Sequence, residues 1–216
     1  MNSLKEQKTA LRQETLARRA HFLKTSPKAH EEASWTICQH LSTLKSYRKA
    51  QTLFCFVSFG DEVNTHPLIR QALKEGKRVF VPYVVPKEKT MIPAEITDFD
   101  QDLAPGYFGI LEPKAQSLRL QKEDLIDLVV APGVLFDAAG YRIGYGGGFY
   151  DRLFQKLSPK VPKIAIGFAL QTTDSVPKGH YDLPVDALIT EKGIRFFSLA
   201  LEAQEKSGGD IGAKKS

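Results

Sequence analysis

The chain has 216 residues, 42% hydrophobic and 25% charged, with 30 Lys and Arg against 25 Asp and Glu for a net charge of +5. This is the balance of an ordinary globular protein, long enough to bury roughly 70% of its unfolded surface. Two cysteines make no disulfide framework, no apolar run reaches the ~20 residues that cross a bilayer, and no secretory segment opens the chain. With no Lys/Arg stripe interleaved with aromatics to mark a nucleic-acid surface, the expectation is a cytoplasmic monomer. Its modest positive charge suits small anionic molecules, with neither nucleic acid nor membrane as partner.

In chain order, residues 3–23 are predicted to be helical, with Ser3 as N-cap and Glu6 completing a capping box. Lys5, Lys8, Arg12 and Arg19 recur at helical spacing and share one face, which on charge alone reads as solvated. A second helix opens at Ser26-Pro27 and turns Ala33, Ile37, Leu41 and Leu44 inward, with Cys38 beside them as a small buried residue. A strand over 52–57, containing Cys55, leads to a turn at 58–64. A helix follows, capped by Thr65 and ending at Gly76. Residues 78–84 are predicted as a strand in which Pro82 hints at an edge or an end. Beyond them 86–120 is less regular, with a strand at 91–97 and an ordered loop at 109–113.

Residues 125–131 form an apolar strand rich in branched side chains. The segment Arg142-Ile143-Gly144-Tyr145-Gly146-Gly147-Gly148-Phe149-Tyr150-Asp151-Arg152 then carries four glycines in five positions. It runs into a helix over 149–157 that buries Leu153, Phe154 and Leu157 before Pro159 and Pro162 end it. Glycine permits close backbone approach, and a helix N-terminus offers free N–H groups and a positive dipole end, so the segment suits an anion, phosphate first. It is not a Walker A loop, because no Gly-Lys-Ser/Thr follows, nor the dinucleotide fingerprint, because Phe149 stands where the third glycine belongs. Arg142 before the glycines suits phosphate oxygens and Asp151 after them suits Mg²⁺.

Strands at 163–168, 186–190 and 194–197 close the pattern, and a tail over 204–216 is expected to be disordered. Strands alternating with helices predict an α/β chain: a single three-layer Rossmann-like domain over 1–203, its mainly parallel central sheet flanked by helices. In such folds ligands gather beyond the carboxyl ends of the strands. The turn at 58–64 and the glycine loop both follow strands, so they can converge on one cleft.

Lys8-x-x-Leu11-Arg12, Asp61-Glu62-Val63-Asn64-Thr65, Gly109-Ile110-x-Glu112-Pro113, Pro132-Gly133-x-x-Phe136-Asp137, Gly140 to Asp151 and Asp182-x-Pro184-Val185-Asp186 together form a pattern. In this order it resembles the 5-formyltetrahydrofolate cyclo-ligase family over about residues 5–197. The resemblance implies ATP- and Mg²⁺-dependent conversion of 5-formyltetrahydrofolate to 5,10-methenyltetrahydrofolate with release of ADP and phosphate. Carried over by position, Lys8 and Arg12 would contact the ATP phosphates. Arg142, Ile143, Gly144, Tyr145, Gly146, Gly147, Gly148, Phe149 and Tyr150 would cradle the nucleotide, and Asp151 and Asp186 would hold Mg²⁺. Glu62 would bond the pterin edge, with Val57, Phe149 and residues 145–148 completing the folate pocket. Arg142, Tyr150 and Asp151 would be catalytic.

Relatives often carry a basic residue inside the glycine loop where this chain has Tyr145 and Gly147, leaving backbone or Arg152 to make such contacts. Lys5 and Arg19 gain no role from the match and read as surface charges, and His180 is separated from Asp182 by Tyr181. Competing readings are a nucleotide-dependent kinase, a Rossmann-like dehydrogenase and a noncatalytic Rossmann-like module for a nucleotide or anionic metabolite.

Overall fold

A computed structural model describes residues 3–85, 88, 90–106 and 109–207. Its helices are α1 (Leu4–Thr25), α2 (Pro27–Thr43), α3 (Lys45–Lys49), α4 (His66–Lys74), α5 (Phe99–Asp102), α6 (Phe149–Lys156) and α7 (Leu199–Lys206). The strands are β1 (Thr52–Cys55), β2 (Arg78–Val85), β3 (Thr90–Ile96), β4 (Leu103–Pro105), β5 (Leu111–Pro113) and β6 (Leu128–Ala131). After them come β7 (Leu135–Phe136), β8 (Arg142–Ile143), β9 (Lys163–Ile166), β10 (Ala187–Thr190) and β11 (Gly193–Phe196).

Seven strands form one sheet in the order β11-β10-β9-β6-β1-β2-β3. The five from β10 to β2 are parallel, and hairpins add an antiparallel strand at each edge. The expected mostly parallel α/β sheet is present. Alternation along the strands divides its side chains between two cores. Leu53, Cys55, Val79, Val130 and Ile164 face α2 and α4, whereas Phe54, Phe80, Val129, Ala165 and Leu188 face Leu153 and Phe154 of α6. Each fully buried Leu, Val, Ile or Phe among them contributes about 2 kcal/mol of transfer free energy. Both cysteines are free and buried, as expected, and burial pushes the Cys38 thiol up to about 12.

Chain direction fixes the ligand position. From β1 the chain moves to β2 on one side and returns to β6 on the other, so the strand order reverses between β1 and β6. A crevice opens at the carboxyl ends of strands at such a reversal.

Several boundaries differ from the sequence reading for local reasons. Pro82 does not end its strand, which runs on to Val85, but it does lie at a local sheet edge. β2 outruns β1, pairing with it only at Arg78, Val79 and Phe80, so Pro82 lies in the overhang opposite Pro93 of β3, where neither ring has an N–H to give. The segment 109–113, expected as a loop, contains β5, which pairs with β4. Residues 204–206, expected in a disordered tail, complete α7, and 208–216 lie outside the described residues. Among the described residues no helix is long and apolar enough to cross a membrane.

Candidate active site

The crevice at the β1/β6 reversal holds a cavity of about 610 Å³, within the usual range for a small-molecule site. Its floor is Phe56 and Val57 after β1 and Pro132 and Gly133 after β6. The second loop is held by the Gln171 amide, which donates to the Gly133 and Val134 carbonyls at 2.8 and 2.9 Å. Downstream, Asp137 builds the β7–β8 turn by accepting from Ala139 N–H and Tyr141 N–H, both at 2.9 Å. That turn delivers Arg142 to the cavity wall.

The glycine loop forms the next wall. Gly146 (φ 101°) and Gly148 (φ 63°) occupy the left-handed region that other residues pay to enter. Gly148 is the N-cap of α6 and has no side chain to offer, so the first-turn amides of α6 carry no side-chain cap. Two arginines grip the loop's carbonyls: Arg12 Nε donates to Gly144 O at 2.7 Å, and Arg152 Nη2 to Gly147 O at 2.6 Å. Arg12 arrives on α1, whose Ser3–Glu6 capping box forms as expected and whose face of Lys5, Lys8, Thr9 and Arg12 lines the cavity. Lys5, read as a plain surface charge, is thus exposed but borders the site.

Arg142 is buried against Asp151, Leu183 O and an aromatic ring. Nη2 meets Asp151 Oδ1 at 3.2 Å, Nη1 donates to Leu183 O at 2.8 Å, and the guanidinium lies 4.6 Å from the Phe154 ring centroid. Burial lowers the Arg142 pKa and the Asp151 charge opposes that shift. A buried cation with these partners is rigid and aimed, at a desolvation cost the partners offset. Tyr150 lines the cavity beside it. Among the described residues its hydroxyl is a buried polar atom with no hydrogen-bond partner, and burial raises its pKa, so it stays protonated as a donor.

Asp186 is not brought to the cavity. It lies just before β10, at the amino end of the sheet, where Oδ2 accepts from Lys163 N–H at 2.7 Å and pairs with Lys163 Nζ at 3.1 Å. Asp182, four residues earlier in the same motif, lines the cavity with Asp151. Its carboxylate pairs with Lys8 Nζ and accepts from Gly179 N–H at 2.6 Å. The sequence reading missed Asp182 as a site residue, although the motif Asp182-x-Pro184-Val185-Asp186 contained it. His180 packs edge-on to the exposed ring of Tyr181.

Glu62 lines the cavity beside the glycine loop. It is 6% exposed, and burial raises its pKa against the opposing hydrogen bond from Tyr145 and the charge of Arg19. Its Oε1 accepts from Tyr145 Oη at 2.7 Å and its Oε2 from Phe59 N–H at 3.1 Å. Arg19, expected as a surface charge, is 2% exposed and bonded to Asp61. Helical spacing put it on the basic face but could not show that the 58–64 turn folds over that end of α1. The cavity therefore gathers Lys8, Arg12, Val57, Glu62, Arg142 through Asp151 and Asp182, and leaves Asp186 outside.

The arrangement combines cations, a glycine loop, an uncapped helix start and a buried carboxylate around one cavity. The sequence profile of the 5-formyltetrahydrofolate cyclo-ligase family matches residues 4–191. A 5-formyltetrahydrofolate cyclo-ligase of Haemophilus influenzae is 30% identical, over 86% of this chain and 97% of its own length. A probable 5-formyltetrahydrofolate cyclo-ligase of Caenorhabditis elegans is 31% identical over 88% and 96%. The solved structure of 5,10-methenyltetrahydrofolate synthetase from Aquifex aeolicus superimposes with a TM-score of 0.75 at 29% identity, covering 88% of this chain and 92% of that one. These relatives are enzymes, which sets aside the kinase, dehydrogenase and binding-module readings: the chain belongs to the 5-formyltetrahydrofolate cyclo-ligase family.

Proposed function

We propose that this chain converts 5-formyltetrahydrofolate to 5,10-methenyltetrahydrofolate at the expense of ATP, releasing ADP and phosphate. The observation that carries the reading is that one cavity at the β1/β6 reversal is lined both by phosphate-binding chemistry and by a buried carboxylate. The formyl oxygen attacks the γ-phosphorus and ADP leaves. N10 then attacks the activated formyl carbon and loses its proton, and the C–O bond breaks so that phosphate departs with the former formyl oxygen. An amide-like oxygen is a weak nucleophile repelled by phosphate, so catalysis rests on positioning and charge neutralisation.

Lys8, Arg12 and the amides between Gly144 and Tyr150 bind the triphosphate, and fixed Arg142 bears on the transferring group. The Tyr150 hydroxyl, with no protein partner of its own, donates to bound substrate, while Glu62 accepts from the pterin edge and Val57 and Phe149 flank the ring. Mg²⁺ prefers one or two carboxylates together with substrate phosphates. Asp151 and Asp182, which both line the cavity, fit that requirement, and we assign to Asp182 the part that the family resemblance implied for Asp186. The ion would neutralise phosphate charge there.

The test is direct. Purified chain with Mg²⁺, ATP and 5-formyltetrahydrofolate is expected to develop the near-ultraviolet absorbance of the methenyl product, with one ADP per product. Folded protein giving no absorbance change, or the same change without ATP, would overturn the assignment.

A further inference from the structure

Two residues that the chemistry above leaves idle meet Glu62. Tyr145 is the one position between Gly144 and Gly148 with a side chain, and its phenol reaches out of the glycine loop to Glu62 Oε1 at 2.7 Å. The Tyr145 phenol oxygen itself accepts from Arg19 Nη2 at 2.7 Å. Arg19 is in turn fixed by Asp61, with Nε and Nη2 at 2.9 and 2.7 Å from Oδ1. Phe59 packs on the phenol, ring centroids 5.9 Å apart. The chain Asp61–Arg19–Tyr145–Glu62 thus ties α1, the turn after β1 and the glycine loop together around one carboxylate.

Resting on the folate reading above, we propose that Arg19 and Tyr145 are positioning residues for folate recognition: the guanidinium orients the phenol, and the phenol fixes Glu62 between the glycine loop and the cavity. A carboxylate oxygen has two acceptor sites, so each Glu62 oxygen keeps one free for a ligand N–H while bound to Tyr145 or Phe59. The phenol donates only if its proton points at Glu62, and Arg19, which can only donate, forces that direction. Burial works against the ionised carboxylate, and the phenol proton and the nearby guanidinium oppose that penalty. The other groups near Glu62 are Asp61 beside it and Tyr150 from α6. His30 and Glu31 of α2 and His66 of α4 line the recess behind it.

Losing either positioning group leaves Glu62 buried with less support, so it takes up a proton at higher pH. The experiment measures 5-formyltetrahydrofolate binding by calorimetry, and kcat and KM, across the acid range for wild type, Tyr145→Phe, Arg19→Met and Glu62→Gln. Tyr145→Phe keeps the ring and removes one oxygen, so it serves even where Arg19→Met fails to fold. In Tyr145→Phe the acid limb of folate binding is expected to move up by about one pH unit, with folate KM raised about fivefold at neutral pH. The ATP KM is expected to stay within about twofold, because Arg12 and Arg152 still hold the loop carbonyls. In Glu62→Gln the limb vanishes, and adding Tyr145→Phe to it produces no further shift. Unchanged acid limbs in a wild-type-like Tyr145→Phe overturn this proposal alone. A wild type that does not bind the folate overturns it together with the function it rests on.

Discussion

The two ends of the parallel sheet use the same residue type for opposite purposes. At the amino ends, Asp127 accepts from Gln51 N–H and Thr52 N–H at 3.0 and 2.9 Å, and Asp186 accepts from Lys163 N–H at 2.7 Å. Each carboxylate sits just before one strand and fastens the start of its neighbour. At the carboxyl ends Glu62, Asp151 and Asp182 also take a backbone N–H each, but all three line the cavity. A cationic partner does not separate the groups, since Asp186 has Lys163. The decisive difference is open space beside the carboxylate. Amino-end carboxylates serve the fold alone, whereas carboxyl-end ones have the open space that a ligand needs.

Substitutions at the two ends should therefore divide between stability and turnover. The largest effect is expected for Arg142→Met, which leaves Asp151 without its buried cation. Chemical denaturation should show a loss of about 3 kcal/mol, and turnover should disappear. Wild-type stability in that variant would mean the pair holds nothing together. Next comes Asp151→Asn, which leaves the buried Arg142 guanidinium without its counter-charge: steady-state assays should show kcat falling on the order of 100-fold together with a loss of stability, while Asp127→Asn should change stability with little effect on kcat. The reverse pattern would dissolve the distinction between the two ends.

Glu62→Gln is subtler. A buried carboxylate with a raised pKa contributes stability below its ordinary value of 4.5 that is lost as pH rises through its folded value. The amide does not titrate, so denaturation curves should show the variant gaining on wild type as pH rises from acid to neutral. Folate KM should meanwhile increase about tenfold. A wild type that gains on the variant over that range would mean the carboxylate is stabilised in the fold and not held at a cost for binding.

These contrasts also mark what the sequence could carry. The glycine segment, Arg142 and Asp151 were legible because a phosphate loop with a guanidinium before it and a carboxylate after it leaves a local signature, whereas Glu62, a lone turn carboxylate, was legible only through its place in the ordered family pattern. The parallel sheet was legible from alternating branched strands and amphipathic helices. What was not legible depended on chain segments meeting in space. Arg19 shares a helix face with Lys8 and Arg12, yet the turn at 58–64 and Tyr145 cover it, and spacing along α1 carries no trace of that cover. Asp182 and Asp186 belong to one motif, and four residues of chain carry the backbone from the cavity to the amino end of β10. The β4–β5 pair was missed because strands of three residues leave no periodicity to read.

That last pair of aspartates offers the sharpest measurement, the Mg²⁺ dependence of turnover at fixed ATP in Asp182→Asn and Asp186→Asn. The expected result is that Asp182→Asn raises the Mg²⁺ requirement about tenfold. Asp186→Asn should keep the wild-type requirement and lose about 1 kcal/mol of stability, roughly 2–4 °C in Tm. An Asp186→Asn enzyme that needs more Mg²⁺, beside an Asp182→Asn enzyme that does not, would contradict the placement of the site at the carboxyl ends.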